Sequence, residues 1–340
     1  MHGLAIFWYI IFVTSVISYA MLDGFDLGVG MLLPFTRKDE QRRLFLNSIG
    51  PVWDGNEVWL VIVVGGMFAG FPIAYATLFS AFYIPLILLV CALIFRAVAI
   101  EFRSKVEHLV WRFTWDYLFA FASLAIALAV GMALGNLIQG IPLNGDHNYE
   151  GNIIMTFLQP YPVLIGILAV SLFLMHGAIY LAMKTEGELH EKLKTWIYPT
   201  IIFFIMSYAI ATMVTLIYQS HMTLRLREMP YLFVIVMVNI LAVANIPREI
   251  SKDNLGYAFL SSCLNIALLM TIFAVGNFPY LIRSSINIEN SLDIYNASAS
   301  PSTLTVLAII AAIGLPIVIA YGFYVYRTFR GKVKMTHMSY

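Results

Sequence analysis

The chain has 340 residues, of which 61% are hydrophobic and 11% charged, and its formal net charge is +1. About a quarter of the residues in a soluble domain are charged, so this composition excludes an ordinary soluble enzyme. With neither a basic arm nor an acidic tail, the charge pattern gives no support to nucleic-acid binding.

Apolar residues form blocks of about 20 or more, long enough to cross a hydrocarbon core roughly 30 Å thick. They lack the period-2 alternation of a membrane barrel, so the sequence predicts an all-α integral membrane protein. Nine transmembrane helices are predicted, at approximately 4–33, 52–70, 74–100, 116–139, 158–183, 195–219, 230–247, 255–276 and 303–328. The first and third blocks exceed one crossing, which predicts tilted or extended helices.

The distribution of Lys and Arg predicts the orientation of the chain. If the N-terminus is periplasmic, only Arg225, Arg227 and Arg283 lie in periplasmic segments, which leaves 17 of the 20 cations on the other side. By the positive-inside rule, that other side and the C-terminus are cytoplasmic. The loops 140–157 and 277–302 are then periplasmic, and composition leaves open whether the second is an ordered cap or a flexible lid.

Two carboxylates late in the first block carry a cost if they are buried in lipid. Asp23 and Asp26 are three residues apart and share a helix face. Gly24 and Gly28 form a small-xxx-small pair, which predicts the close approach of another helix. The carboxylates either line a hydrophilic path from the cytoplasm or pair with the basic loop after Pro34; position alone leaves both open.

A second acidic pair opens the second block. Asp54 and Glu57 are again three residues apart, in the first turns of a helix, where carboxylates suit the positive end of the helix dipole. Because the first two spans are antiparallel neighbours, we also expect this pair to face Asp23 and Asp26. Close carboxylates can share protons, so the four residues form a candidate proton path.

Near the cytoplasmic end of the third block, Arg96 and Glu101 are assigned to a structural ion pair. Arg96 lies deeper and needs a buried carboxylate partner. Asp116 opens the predicted fourth span, where N-terminal capping is at least as plausible as chemistry. His176 lies well inside a block and is interpreted as a helix–helix hydrogen-bond partner. No second facing ligand accompanies it for bis-axial haem, and no metal-binding motif is present.

These motifs resemble subunit II of the cytochrome bd-type quinol oxidases over nearly the whole chain. The segments that carry the resemblance are Asp23-Gly-Phe-Asp-Leu-Gly-Val-Gly30, Asn47-Ser-Ile-Gly-Pro-Val-Trp-Asp-Gly-Asn-Glu-Val-Trp-Leu60, Phe95-Arg-Ala-Val-Ala-Ile-Glu-Phe-Arg103, Met183-Lys-Thr-Glu-Gly-Glu-Leu189, Gly276-Asn-Phe-Pro-Tyr280 and Ser300-Pro-Ser-Thr-Leu304. The Trp-Asp-Gly-Asn-Glu motif is very specific. The short loop 221–229 and the Met183–Leu189 segment look most like the cyanide-insensitive branch.

The resemblance implies one polytopic membrane domain over 1–340. Two four-helix bundles, 1–140 and 158–276, would be followed by a periplasmic loop (277–302) and a peripheral ninth helix (303–328). It also implies a location in the bacterial cytoplasmic (inner) membrane. A partner, subunit I, would carry three haems, either b and d or b-type only. The complex would oxidise quinol and reduce oxygen to water.

For this subunit the resemblance implies a part in the route of cytoplasmic protons, with Asp54 at the matching position and Asp26 at another acidic position. No catalytic residue is expected here. Some members hold a structural quinone in this subunit, and a small single-helix subunit is a further expected partner. The sequence departs from the family at Ile294-Tyr-Asn-Ala-Ser298, where many members have Trp-Asp-Ala.

Two other functions compete with the oxidase subunit. Intramembrane carboxylates and glycine-broken helices also fit a proton-coupled secondary transporter, although no inverted repeat is evident and an odd number of spans fits that class poorly. A purely structural membrane scaffold is the third hypothesis. It predicts that removing the Asp54 carboxylate leaves oxidase turnover unchanged.

Overall fold

The computed structural model describes residues 2–333, which form thirteen α-helices, short 3-10 turns and one small β-hairpin. The helices are α1 (His2–Leu32), α2 (Asp39–Ile49), α3 (Trp53–Gly70), α4 (Pro72–Ala81), α5 (Tyr83–Phe102), α6 (Leu109–Gln139), α7 (Ile153–Phe157), α8 (Pro160–Lys184), α9 (Gly187–Tyr218), α10 (Leu224–Glu228), α11 (Phe233–Ser251), α12 (Leu255–Asn277) and α13 (Pro301–Thr328). The strands are β1 (Tyr280–Ile282) and β2 (Leu292–Asp293), which pair antiparallel.

Within residues 2–333, eight helices are long and apolar enough to cross a membrane. A ninth crossing comes from α2 and α3 if this pair, bent by 49°, is taken as one span. The predicted class, an all-α membrane protein with about nine spans, is confirmed.

The predicted third span, 74–100, is not one helix. It is interrupted at Phe82, whose backbone leaves the helical region (φ −110°, ψ 25°) between α4 and α5. Pro85 explains the break, because its ring lacks an N–H and would clash with the carbonyl group of Ala81 in a continuous helix. The fourth span also differs from the prediction: α6 begins at Leu109, seven residues before the predicted start at residue 116.

The long helices pack in two neighbouring groups. Helix α1 contacts α3 and α6, and α5 packs on α6; in the second group α8 contacts α9 and α12, and α11 packs on α12. Helix α8 also lies against α1 and α6 and so joins the groups. The ninth membrane span, α13, contacts α3 and α1 at the edge of the first group. Its Leu304 is buried, and most of its other side chains are exposed.

The contact between α1 and α8 depends on glycine. A Cβ atom placed on Gly28 would lie 2.0 Å from the Phe173 carbonyl oxygen and 2.8 Å from the Cα atom of Gly177. A Cβ atom on Gly24 would lie 2.7 Å from the Phe173 ring. The predicted close approach of a helix at Gly24 and Gly28 is therefore confirmed, and α8 is that helix.

The segment 277–302 is an ordered cap in the described structure. Its backbone pairs with the segment after α6, because Ile141 N–H donates to the Arg283 carbonyl (2.9 Å) and Ser285 N–H donates to the Ile141 carbonyl (2.9 Å). The Asn290 side chain donates to the Leu143 carbonyl at 2.9 Å. These bonds close the end of the molecule that the distribution of cations predicts to be periplasmic.

Candidate proton-transfer site

An arginine–aspartate pair with no solvent exposure lies at the centre of the first group of helices. Arg96 on α5 donates from Nη1 to Asp23 Oδ2 on α1 at 2.9 Å, and its Nη2 contacts the other oxygen of Asp23. Both side chains have a relative exposure of 0%. A bidentate salt bridge of this kind fixes the orientation of both side chains, and it neutralises the charge of one buried carboxylate.

Asp26, one turn further along α1, lies beside the pair. Its Oδ2 atom is 3.9 Å from Arg96 Nη2 and accepts a hydrogen bond from Asn56 Nδ2 on α3 at 2.8 Å. Its Oδ1 atom is buried and accepts no hydrogen bond from the described residues. Among the described residues, Asp26 therefore has one oxygen that accepts a hydrogen bond and one buried oxygen, Oδ1, that accepts none; we call Oδ1 the open oxygen.

Glu57 on α3 connects this cluster with the surface of the chain. Its Oε2 atom lies 3.9 Å from Arg96 Nη1, and its side chain is 22% exposed, in contrast to Asp23 and Asp26. The cluster thus contains three carboxylates around one guanidinium, with Glu57 at its outer edge. Such a set can accept and pass protons between the surface and the interior.

Asp54 lies outside this cluster, contrary to the expectation that all four carboxylates face one another. Its side chain is exposed, whereas Asn56 is buried and contacts Asp26. Residues two apart on a helix point about 200° from each other, so Asn56 and Asp54 cannot both face α1. Asp54 is instead on the surface, three residues from Glu57.

The predicted partner of Arg96 is also corrected. Arg96 pairs with Asp23, and Glu101 lies at an exposed position near the end of α5. Five residues correspond to about 140° around a helix, so Glu101 projects from a different face. Both Arg96 and Asp23 were singled out from the sequence, but their pairing depends on the packing of α1 against α5 and α3.

A second buried ionic network was missed from sequence. Asp116 accepts hydrogen bonds from Arg42 (3.1 Å) and from Arg103, and Arg103 also donates to Asp39 at 2.7 Å. Arg112 reaches the same Asp39 at 3.0 Å. Asp116 is therefore not a helix cap: it lies two turns inside α6 and links α6 to α2 and to the turn that follows α5.

His176 is buried between helices α1, α8 and α12. Its Nδ1 atom is 2.8 Å from Ser262 Oγ, and its Nε2 atom is 3.0 Å from the Met21 carbonyl oxygen. The ring stacks on Phe259 with 4.7 Å between centroids. Because both nitrogens are engaged, the residues present do not fit a haem ligated by His176.

A cavity of about 420 Å³ lies in the second group of helices, toward the ends joined by α10. Its walls are largely apolar, and they include Tyr161, Tyr208, Thr215 and Arg227. Tyr161 and Thr215 share a hydrogen bond of 2.9 Å. The size and the few polar groups suit a largely apolar ligand with a polar end.

Comparison with known proteins places these features in a family. Relatives include cytochrome bd-I ubiquinol oxidase subunit 2 of Escherichia coli strain K12, 31% identical over 96% of this chain and 94% of the relative. Cytochrome bd ubiquinol oxidase subunit 2 of Bacillus subtilis strain 168 is 33% identical over 96% of both chains. A chain of the bd oxidase structure from Geobacillus thermodenitrificans shares the fold, with a TM-score of 0.80, 17% identity and coverage of 96% of this chain and 98% of that chain.

The family profile described as cytochrome bd terminal oxidase subunit II matches residues 4–329. The match includes the Arg96 cluster, both groups of helices and all of α13. The earlier resemblance is thereby confirmed, and the transporter hypothesis is not favoured. This chain belongs to the cytochrome bd terminal oxidase subunit II family and is a multi-pass protein of the bacterial inner membrane.

Proposed function

We propose that this chain is the subunit of a bd-type quinol oxidase that carries protons toward a partner subunit where oxygen is reduced. The observation that supports this most is the set of three carboxylates around Arg96, of which Asp23 and Asp26 are buried and Glu57 is partly exposed. Full ionisation would leave two negative charges uncompensated in an apolar interior, which is costly. Proton binding relieves this cost, so the cluster is suited to hold and release protons.

The proposed entry uses the exposed carboxylate of Asp54 and then Glu57, the member of the cluster that reaches the surface. From Glu57 the proton passes to the carboxylates of Asp23 and Asp26, which pair with the same guanidinium, while Arg96 itself stays protonated. We place this entry on the cytoplasmic side, as the distribution of Lys and Arg predicts. We likewise propose that the N-terminus is periplasmic and the C-terminus cytoplasmic.

We further propose that the haems, b and d or b-type only, lie on the partner subunit I. They supply the oxygen-reducing chemistry when bound, and the engaged nitrogens of His176 support their placement outside this chain. Quinol and oxygen are then substrates of the complex, and a small single-helix subunit is a further proposed partner. We also propose that residues 1–140 and 158–276 of this chain form two four-helix bundles. The periplasmic loop 277–302 and the ninth membrane-spanning helix, 303–328, follow them.

A structural quinone is proposed for the cavity lined by Tyr161, Thr215 and Arg227. Hydroxyl and guanidinium groups can donate hydrogen bonds to quinone carbonyl oxygens, and the apolar walls can accept an isoprenoid tail. In this position a quinone would brace the second group of helices. No step of proton transfer is assigned to it.

Replacing Asp54 by Asn is expected to lower oxidase turnover by about tenfold or more, because an amide cannot accept and release a proton at neutral pH. Turnover per haem should be measured in the purified complex with quinol and oxygen. Asp146→Asn, in the exposed loop at the predicted periplasmic end, is the matched control and should retain turnover. Unchanged turnover of a fully assembled Asp54→Asn complex would favour the scaffold hypothesis.

A further inference from the structure

The ninth membrane span, α13, makes a polar contact with the proton-transfer site. Tyr326, near the end of α13, donates its hydroxyl hydrogen to Asn56 Oδ1 at 2.8 Å. The two residues are 270 positions apart in the sequence. The remainder of α13 is largely exposed, so this contact is unusual for the helix. Through Asn56 it connects a peripheral element with Asp26 of the buried cluster.

Asn56 uses both ends of its side-chain amide. Its Nδ2 group donates to Asp26 Oδ2 at 2.8 Å and to the Leu22 carbonyl at 3.1 Å, while Oδ1 accepts from Tyr326. Exchanging the amide oxygen and nitrogen would place an oxygen against two acceptors on α1. The two acceptors on α1 therefore fix one orientation of the amide, and the Tyr326 hydroxyl holds its oxygen end.

This orientation determines which oxygen of Asp26 remains open. Oδ2 is held by the Asn56 amide, while Oδ1 accepts no hydrogen bond from the described residues. A proton can then be taken up and released at Oδ1 without breaking the bond to Asn56. If the amide could rotate, both oxygens of Asp26 would lose their fixed roles.

We propose that Tyr326 is a positioning residue, which holds Asn56 so that Asp26 exchanges protons at Oδ1. Helix α13 then contributes to the function of the proton-transfer site. This inference rests on the proposed function of that site. It assigns no proton transfer to Tyr326 itself, which acts through the amide of Asn56.

Tyr326→Phe removes the hydroxyl group and keeps the ring in place. Loss of one neutral hydrogen bond corresponds to roughly a three- to tenfold effect, and we expect turnover per haem to fall by that factor. The solvent deuterium isotope effect on turnover should rise, because proton transfer becomes more rate-limiting. Tyr324→Phe, an exposed tyrosine on the same helix, should change neither quantity.

A double-mutant cycle separates this role from general packing. If Tyr326 acts through Asn56, the Tyr326→Phe/Asn56→Ala complex should turn over at the rate of Asn56→Ala alone. Additive losses, or a Tyr326→Phe complex that matches Tyr324→Phe, would overturn the inference. Because turnover is measured per assembled haem, a lower yield of complex does not alter the reading.

Asp26→Asn distinguishes this inference from the function on which it rests. Unchanged turnover of assembled Asp26→Asn complex would contradict the proton role of the cluster and the inference together. Reduced turnover in Asp26→Asn with normal turnover in Tyr326→Phe would contradict the inference alone.

Discussion

Replacing Arg96 by Met is expected to destroy most of the folded complex. The guanidinium is fully buried and is in contact with Asp23, Asp26 and Glu57. Removing one partner of a buried ion pair costs about 3–5 kcal/mol, because the remaining charge has no compensation. This is a large part of the 5–15 kcal/mol that typically separates folded from unfolded protein.

The yield of haem-loaded complex and its thermal midpoint measure this effect. Arg327→Met, at an exposed position near the end of α13, is the matched control and should melt like the wild type. Adding Asp23→Asn to Arg96→Met removes one uncompensated charge and should recover part of the loss. An Arg96→Met complex with wild-type yield and midpoint would show that this ion pair does not stabilise the fold.

Gly28→Ala should separate α1 from α8. The new Cβ atom would lie 2.0 Å from a backbone oxygen of α8, so a side-chain rotation cannot relieve the clash. Overpacking of this kind typically costs 1–3 kcal/mol and sometimes more. Since Asp23 and Asp26 are on the same helix, we expect both the thermal midpoint and the turnover of the complex to fall.

Gly66→Ala on α3 provides the comparison. A Cβ atom at Gly66 would have no described neighbour within 4 Å, and alanine favours a helix over glycine by roughly 0.5–1 kcal/mol. The two substitutions are chemically identical, so a difference between their thermal midpoints reports the close contact. Equal midpoints for Gly28→Ala and Gly66→Ala would contradict the packing of α1 on α8.

The number and type of the membrane helices could be predicted because long apolar blocks have few alternatives in lipid. The details of the third span could not be inferred from hydrophobicity, because the interruption at Phe82 lies within an unbroken apolar run. The early start of α6 was missed for the opposite reason. Its first two turns, before Asp116, contain Arg112 and read as a solvated segment, although they belong to the helix in which Asp116 is buried against Arg42 and Arg103.

The acidic residues of the site were predicted from their cost in lipid, and their arrangement was predicted only in part. Helical spacing shows which residues of one helix share a face, as with Asp23 and Asp26, but it does not give the rotation of one helix against another. That rotation brings Asn56 rather than Asp54 against α1, and it pairs Arg96 with Asp23. Asn56, which is buried, and Tyr326, which is partly buried, are uncharged, so the cost of burying charge did not point to them.

The most direct test of proton passage through the buried carboxylates is side-resolved proton uptake during oxygen reduction by the complex in liposomes. In a Glu57→Gln complex, uptake from the cytoplasmic side should slow by about tenfold or more, because the outer carboxylate of the cluster is lost. Reduction of the haems by quinol should proceed as before, and Glu228→Gln should behave as wild type. Unchanged uptake in an assembled Glu57→Gln complex would show that the protons take another route.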